Sequence, residues 1–185
     1  MLSLVYTTSK SDMDLLGILE LQRKNHSANL SVEEISTQGF ITVIHSLENL
    51  RNLNAIQPHI ICKHNGKVIA YLLAMTAKSR NEIPVLVPMF EIFETLIFRG
   101  KSISEYNYVV VGQVCVDKNY REMGIFDKCY SEYKLHLKDK YDFAITEISS
   151  RNSRSIKAHK RIGFSEIYKY ASQDQEEWSV VVLEW

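Results

Sequence analysis

The spacing of apolar residues predicts an early hairpin followed by alternating strands and helices. Apolar runs at 59–62 and 67–75 flank Asn65-Gly66, the residue pair preferred in tight two-residue hairpin turns. Later runs rich in β-branched and aromatic residues also read as strands. We therefore predict further strands at 2–7, from Val109 onward, at 141–148, at 164–170 and at 178–185.

Capping residues and three- to four-residue apolar spacing predict the helices. Ser11 can cap a helix over the apolar run 15–21, and Ser31 with Glu34 forms a capping box for a second helix that Gly39 can end. Two more helices are predicted at 124–138 and between Asn152 and Gly163. The stretch 39–44 fits strand or buried helix equally well, so its structure stays open.

Residues 78–107 read as an insertion with one helix over 89–98. The length and position of this segment suit a lid or a substrate wall, and a plain connector is an equally good reading. There are no repeats, linkers or low-complexity tracts, and 185 residues suffice for one core, so residues 1–185 are predicted to form a single domain.

The composition narrows the class of partner and the compartment. Lys plus Arg and Asp plus Glu number 22 each, so the chain lacks the basic excess that phosphate-backbone binders need, and nucleic acid is not expected as a partner. No apolar run reaches the length of a membrane span and the first residues lack a signal-peptide pattern, which predicts a cytoplasmic protein without membrane association. The three cysteines lie far apart, and neither they nor the scattered histidines show metal-ligand spacing, so no metal is expected.

The segment 109–126 carries the strongest functional signal. A β-branched strand leads into Arg121, a lone Gly124 and an apolar helix. The first amides of a helix lack intrahelical partners and lie at the positive end of its dipole, so they can bind phosphate oxygens. A helix that is merely packed on a sheet would show the same pattern, so the glycine alone does not decide between the two.

Two motifs in order resemble the GNAT superfamily of N-acetyltransferases. The acyl-CoA signature of that family is Arg or Gln, two residues, Gly, one residue, then Gly or Ala; Arg121 and Gly124 match it, while Phe126 stands at the last small position and Glu122 where glycine is common. The later stretch 152–164, an asparagine and a short helix before Gly-Phe, resembles a second family motif. The resemblance implies an α/β (α+β) fold with a mixed, mostly antiparallel central sheet, splayed central strands and flanking helices.

The resemblance also implies acetyl-CoA as co-substrate and assigns residues to it. The pantetheine arm would run along the strand at Val114, Cys115 and Val116, and Asn152 matches a position that contacts this arm, although it is equally suited to cap a helix. The pyrophosphate would meet the loop and first helical turn, namely Arg121, Met123, Gly124, Ile125 and Phe126.

Acyl transfer needs a base for the amine and an acid for the departing thiolate. His159 occupies the position where the family often has a tyrosine, and Glu147 lies near the end of a predicted central strand, where family bases are commonly carboxylates. A packed histidine and a solvent-facing glutamate are the alternatives. Cys115 has no histidine beside it in sequence, so direct transfer from thioester to amine is favoured over a covalent intermediate.

The acceptor is expected to be the amine of an unidentified small molecule or peptide. Phe40, Met75 and Tyr106 are candidates for its pocket, with core packing as the alternative, and Gln113 is a candidate for orienting it, with an edge or bulge position as the alternative. The apolar final strand 180–183 could pair across a homodimer. An inactive CoA-binding or interaction module on the same fold is the alternative function.

Overall fold

The sheet buries side chains on both of its faces. On the strand Lys67–Met75, Ala70, Leu72 and Ala74 belong to one core layer, whereas Tyr71 and Leu73 belong to another on the opposite face. Because both faces are covered, this strand reads as a continuous apolar run rather than an alternating one. The computed structural model describes residues 3–185.

The regular elements are numbered in chain order. The strands are β1 Leu4–Thr8, β2 Ile60–His64, β3 Lys67–Met75, β4 Ile97–Phe98, β5 Lys101–Ser102, β6 Val109–Val116, β7 Phe143–Ser149, β8 Ser165–Ala171 and β9 Glu177–Glu184. The α-helices are α1 Asp12–Asn25, α2 Val32–Gln38, α3 Leu47–Ile56, α4 Val87–Thr95, α5 Ile125–Leu137 and α6 Ser153–Arg161.

Seven strands form one sheet in the order β1-β2-β3-β6-β7-β9-β8, and β4 pairs with β5 in a separate ribbon. Only the β6–β7 pair is parallel; the other pairs of the main sheet are antiparallel. Helix α5 packs on β2 and β3, and α1 packs against β3 on the other face. The predicted mixed, mostly antiparallel sheet with flanking helices is confirmed.

The two central strands separate soon after they meet. Their ladder contains only Val109 with Ala144 and Val110 with Ile145, although both strands continue for several residues. At the point of separation, Thr146 Oγ1 donates a 2.8 Å hydrogen bond to the carbonyl of Val111. The predicted splay is therefore present, and it leaves the following main-chain groups of β6 without a strand partner on the β7 side.

A bulge accompanies this separation. The β3–β6 register shifts between Leu73 and Ala74, so Gly112 is the extra residue between the partners Val111 and Gln113. A Cβ at Gly112 would lie 2.4 Å from Sδ of Met75, which leaves room only for glycine. The bulge bends β6 where the fork between β6 and β7 opens.

Turn and capping residues in the sequence predicted most of the helices and strands correctly. Asn65 and Gly66 both have positive φ, as the tight hairpin requires, and Ser31 with Glu34 forms the capping box of α2. Helix α3 and the β4–β5 ribbon were not predicted, although Ser46 and Asn49 form a reciprocal cap at the start of α3. The first strand begins at Leu4; the predicted start at Leu2 lies outside the described residues.

The predicted homodimer pairing through the last strand is wrong. β9 lies between β7 and β8 and forms a ladder with each of them, so it has no free edge. Val180 and Val182 are completely buried. The apolar character of this strand reflects burial on both faces, and β1 and β8 are the edges of the sheet.

In the part of the chain that the structure covers, no helix combines the length and apolar character needed to cross a membrane.

Candidate functional site

Two cavities meet where β6 and β7 diverge. The first, of about 400 Å³, extends from β6 to the N-terminus of α5 and along α6; the second, of about 110 Å³, lies between the fork, α4 and the loop after α2. The residues that line both are Phe40, Ile41, Val114, Asn152 and Ser155. Ligands in the two cavities would therefore meet beside these side chains.

The first cavity ends on an uncapped helix terminus. Gly124, the N-cap of α5, has φ 72°, and no side chain caps the helix. A Cβ at Gly124 would meet no heavy atom within 4 Å, so open space lies over this turn. The free amides at 124–127 and the helix dipole create an anion-binding position. The preceding Glu122, with φ 64°, also holds a left-handed conformation in the loop.

The Arg121 side chain points into the protein rather than toward this position. Its Nε donates to the Val116 carbonyl at 3.1 Å, its Nη1 to the carbonyl and side chain of Gln38, and its Nη2 to Asn25 Oδ1 at 2.7 Å. Burial lowers its pKa. The guanidinium therefore ties β6 to the ends of α1 and α2 and leaves the loop main chain free.

Other residues assigned to the loop differ in how they face the cavity. Phe126 lines it, with its ring against Tyr130 and His159, at centroid distances of 4.9 and 5.2 Å. Ile125 also borders it, although its side chain is buried in the core. Met123 is 50% exposed and is not among the residues lining either cavity, so its predicted role can involve only its main chain.

The strand residues Val114, Cys115 and Val116 all line the first cavity. Burial raises the pKa of the Cys115 thiol to about 12. A thiol with this pKa is almost fully protonated at neutral pH and is a poor nucleophile. The environment of Cys115 thus supports direct transfer.

Asn152 caps α6, which was one of the two roles considered for it, and it also contacts the loop after α2. Its Oδ1 accepts a 3.2 Å hydrogen bond from the Ser155 amide, which caps α6, and its Nδ2 donates to the Phe40 carbonyl at 3.1 Å. On the other side of the same loop, Gln113 Nε2 donates to the Val43 carbonyl at 2.9 Å. These two side chains hold the loop 40–43 against the fork, between the cavities.

Glu147 lines the second cavity and has a pKa suited to a base. Burial raises this pKa to about 7, and a 2.5 Å hydrogen bond from the hydroxyl of Tyr170 opposes the rise. A carboxylate with a pKa near neutrality can accept a proton from an ammonium group at physiological pH. Tyr170 was not predicted, because nothing in the local pattern of β8 links it to β7.

The catalytic acid role predicted for His159 does not suit its surroundings. The ring is 2% exposed, Nε2 lies 2.7 Å from the Tyr130 hydroxyl, and Nδ1 lies 2.8 Å from the Ser155 carbonyl. A carbonyl only accepts, so Nδ1 carries the proton and Nε2 accepts from Tyr130. Burial lowers the His159 pKa to about 4, so the ring is neutral. It borders the second cavity as a packed group rather than as a proton donor.

Ser155 lines both cavities beside His159. Its Oγ lies 3.2 Å from His159 Nδ1, from which it can accept, so its own hydroxyl proton remains free to donate. Ser155 was not predicted, because a serine in a helix carries no sequence signal of catalysis.

Two of the predicted acceptor residues lie in the core. Met75 is 1% exposed beneath Gly112, and Tyr106 packs on Phe143 while its hydroxyl donates to the Phe98 carbonyl. Neither residue lines either of the two cavities: Met75 belongs to the core and the half-buried Tyr106 packs against it, which favours the core alternative for both. Phe40 and Gln113 do line the second cavity, and Gln113 also follows the bulge at Gly112.

The insertion 78–107 contributes a wall of the second cavity. Leu86 and Met89, at the start of α4, line it opposite the fork. Trp178 from β9 adds another aromatic surface. The position of these residues favours the substrate-wall interpretation over a plain connector.

Solved structures identify the architecture. The ribosomal-protein-S18-alanine N-acetyltransferase of Escherichia coli superposes with a TM-score of 0.64 at 13% identity, covering 98% of this chain and 93% of that one. A Desulfovibrio desulfuricans protein assigned to the GNAT family of acetyltransferases gives 0.64 at 10% identity, covering 98% and 99%. The chain has the GNAT fold. No family profile and no curated protein sequence matches it.

One similar structure with this fold holds the expected co-substrate. The yncA protein of Salmonella typhimurium, solved with its cofactor acetyl-CoA, gives a TM-score of 0.61 at 16% identity, covering 98% of this chain and 94% of that one. At such identities the likeness concerns the GNAT fold, and residue roles must come from the geometry described above. Among the described residues, no group of three or more His, Cys, Asp or Glu side chains is placed to hold a metal ion.

Proposed function

We propose that this chain is an acetyl-CoA-dependent N-acetyltransferase that acts on a primary amine by direct transfer. The observation that carries the proposal is the junction of the two cavities, one ending on an anion-binding helix terminus and the other holding a carboxylate with a pKa of about 7. This arrangement supports a phosphate-bearing donor in the first cavity and a proton acceptor in the second, on either side of the junction.

The residues of the first cavity fit acetyl-CoA. Open space above Gly124 gives a pyrophosphate access to the α5 amides, and the β6 groups left unpaired beyond Val111 can bond an amide-rich pantetheine arm. Glu122 does not oppose this, because its side chain is 82% exposed and pairs with Arg154 at 3.5 Å. Acetyl-CoA would supply the acetyl group as a thioester.

Glu147 is the proposed general base. It accepts a proton from the ammonium group of the acceptor, and the free amine then attacks the thioester carbon. A carbon–nitrogen bond forms as the carbon–sulfur bond breaks, and the second proton lost by the nitrogen passes to the departing sulfur, which leaves as the CoA thiol. The pKa near 7 suits this step, because the carboxylate must be ionised before transfer and still basic enough to take the proton.

Ser155 is the proposed hydrogen-bond donor to the sulfur that departs. Tyr130 donates to Nε2 of His159, and Nδ1 of His159 donates to the Ser155 carbonyl and lies 3.2 Å from its Oγ. Ser155 lines both cavities at their junction. A donor placed where negative charge develops stabilises the transition state. His159 acts here as a positioning residue.

A CoA-binding module without catalysis is the second candidate. It is favoured by the burial of His159, which stands where the resembling family often has a tyrosine, and by Phe126 at a position that is small in that family. The two functions share the first cavity and differ only in chemistry at the fork.

Two measurements test these functions in order. Acetyl-CoA should raise the melting temperature, since a ligand that binds only the folded state stabilises it. A thiol-release assay with a panel of amines should then show turnover that Glu147→Gln removes while the shift in melting temperature remains. A shift without thiol release from any amine supports the module, and no shift at saturating acetyl-CoA refutes both functions.

A further inference from the structure

The two cavities differ sharply in charge. The first is bordered by Arg121, Arg154, Lys157 and Arg161, together with acidic residues. Of the described residues that line the second, Glu147 is the sole Asp or Glu, and none is Lys or Arg. His159 adds no charge, because burial keeps its ring neutral.

The remaining surface of the second cavity carries no charge and is about half apolar. Phe40 and Val43 from the loop, Leu86 and Met89 from the insertion, and Trp178 from β9 face the fork from three directions. The nearest polar side chains already have partners: Gln113 donates to the Val43 carbonyl and accepts from Tyr71, and Thr146 donates to the Val111 carbonyl. A ligand group placed against these walls therefore meets apolar surface and polar side chains in similar measure, and no second charged side chain.

We infer that the acceptor is a monoamine whose single ammonium group is attached to an uncharged body. This inference rests on the proposed function and specifies its substrate. The ammonium pairs with Glu147, and the body packs on the walls formed by the loop 40–43, α4 and Trp178. The cavity of about 110 Å³ holds the amine and the groups nearest to it, with the rest toward the opening.

Two other classes of amine fit this charge pattern badly. A free amino acid or an amino sugar phosphate would bring an anion beside Glu147 with no cation to pair with it. A polyamine or an aminoglycoside would bring further ammonium groups that have no second carboxylate. In both cases the additional charge would lose water in a cavity that offers it no oppositely charged partner, which is strongly unfavourable.

The most direct test compares amines that differ only in charge. L-Phenylalaninamide and L-phenylalanine share one skeleton, and the free carboxylate of the second is the only charged addition. We expect kcat/KM for the amide to exceed that for the acid by about tenfold or more, with 2-phenylethylamine also accepted and spermidine poor. A peptide amide that begins with Phe is compared with phenylalaninamide. If the peptide is the better acceptor, the natural acceptor is a protein N-terminus; if phenylalaninamide is better, it is a small amine.

A second experiment introduces a positive charge into the wall of the second cavity. Leu86→Lys should move the preference toward phenylalanine, whereas Val85→Lys should not, since Val85 is 68% exposed and does not line the cavity. Better turnover of phenylalanine or spermidine than of phenylalaninamide by the unaltered protein would overturn the inference while leaving acetyl transfer established. No turnover of any amine, with acetyl-CoA still bound, would instead overturn the proposed function.

Discussion

The hydroxyl of Tyr170 on β8 donates a 2.5 Å hydrogen bond to Oε2 of Glu147 on β7, across the intervening strand β9. Burial disfavours the charged carboxylate and raises its pKa, while this hydrogen bond stabilises the charge and lowers it. The two opposed effects leave the Glu147 pKa at about 7. The pKa of Glu147, the proposed proton acceptor at the fork, thus depends in part on a residue of β8, a strand that does not pair with β7.

The first prediction concerns the pH dependence of acetyl transfer. Because Glu147 must be ionised to act as a base, kcat/KM should rise with pH through about 7 and then level off until another group titrates. Glu147→Gln should lower kcat by about a hundredfold or more and remove this limb of the profile. A steady-state profile from pH 5 to pH 9 measures both. An unchanged limb in the variant would exclude Glu147 as its origin.

The second prediction isolates the hydrogen bond. Tyr170→Phe removes the effect that lowers the Glu147 pKa, so the midpoint of the pH profile should move to higher pH. Tyr168→Phe is the matched control, because Tyr168 lies on the same strand and stacks on Tyr170 but makes no hydrogen bond to Glu147. Its midpoint should equal that of the unaltered protein. Equal midpoints in both variants would show that the hydrogen bond does not tune the base.

The third prediction addresses the departing sulfur. Ser155→Ala should lower kcat by about tenfold or more and leave the KM for acetyl-CoA unchanged, because the hydroxyl is proposed to act only as charge develops on sulfur. Ser153→Ala, an exposed position on the first turn of the same helix, is the control for changes in α6 itself. If kcat of the variant stays within twofold of the unaltered value, the Ser155 hydroxyl does not take part in transfer and the residue only packs at the junction of the cavities.

The sequence predicted the site's main chain better than its side chains. The strand, loop and helix around Gly124 follow from local signals that act over a few residues, and they occur where expected. Arg121, in contrast, takes its partners from Asn25 and Gln38, which are 96 and 83 residues away, so its inward orientation depends on how two helices and a strand assemble. The same holds for His159, whose burial depends on the ring of Phe126.

The order of the strands in the sheet was the other feature that could not be predicted from the sequence. An apolar strand such as 180–183 reads the same at an edge that pairs with a partner as in the interior of a sheet. Only the assembled order shows that β8 folds back outside β9, which buries Val180 and Val182 and brings Tyr170 toward Glu147. Because strand order depends on long-range pairing, the sequence wrongly suggested a dimer through the last strand and did not reveal the contact of Tyr170 with Glu147.

The fourth prediction follows from the hydrogen bonds of Arg121. Arg121→Met keeps most of the side-chain length but removes the donors that join β6 to the ends of α1 and α2, and it should lower the free energy of unfolding by about 2 kcal/mol. Arg154→Met should cost less than about 0.5 kcal/mol, because its contact with the exposed Glu122 is long. Urea unfolding curves compare the two. Equal losses in the free energy of unfolding would mean that the hydrogen bonds of Arg121 to α1, α2 and β6 do not stabilise the fold.

The fifth prediction separates backbone strain from ligand contact at the helix terminus. Gly124 and Gly100 have nearly equal positive φ, 72° and 80°, and a Cβ on either would meet no heavy atom within 4 Å. Gly124→Ala and Gly100→Ala should therefore lose similar stability, about 1–2 kcal/mol each. Only the first places a methyl group in the space through which a pyrophosphate would reach the α5 amides, so only it should weaken acetyl-CoA binding, by about tenfold, or about 1.4 kcal/mol.

Calorimetric titration of acetyl-CoA into both glycine variants makes this comparison directly. Gly100 lies in the turn of the β4–β5 ribbon and borders neither cavity, so its variant should bind as the unaltered protein does. Equal weakening in both variants would trace the loss to general destabilisation, and unaltered binding in both would place the phosphates away from the α5 terminus. Weakening confined to Gly124→Ala would locate the pyrophosphate at the free amides of this helix, because the two substitutions differ in position and not in strain.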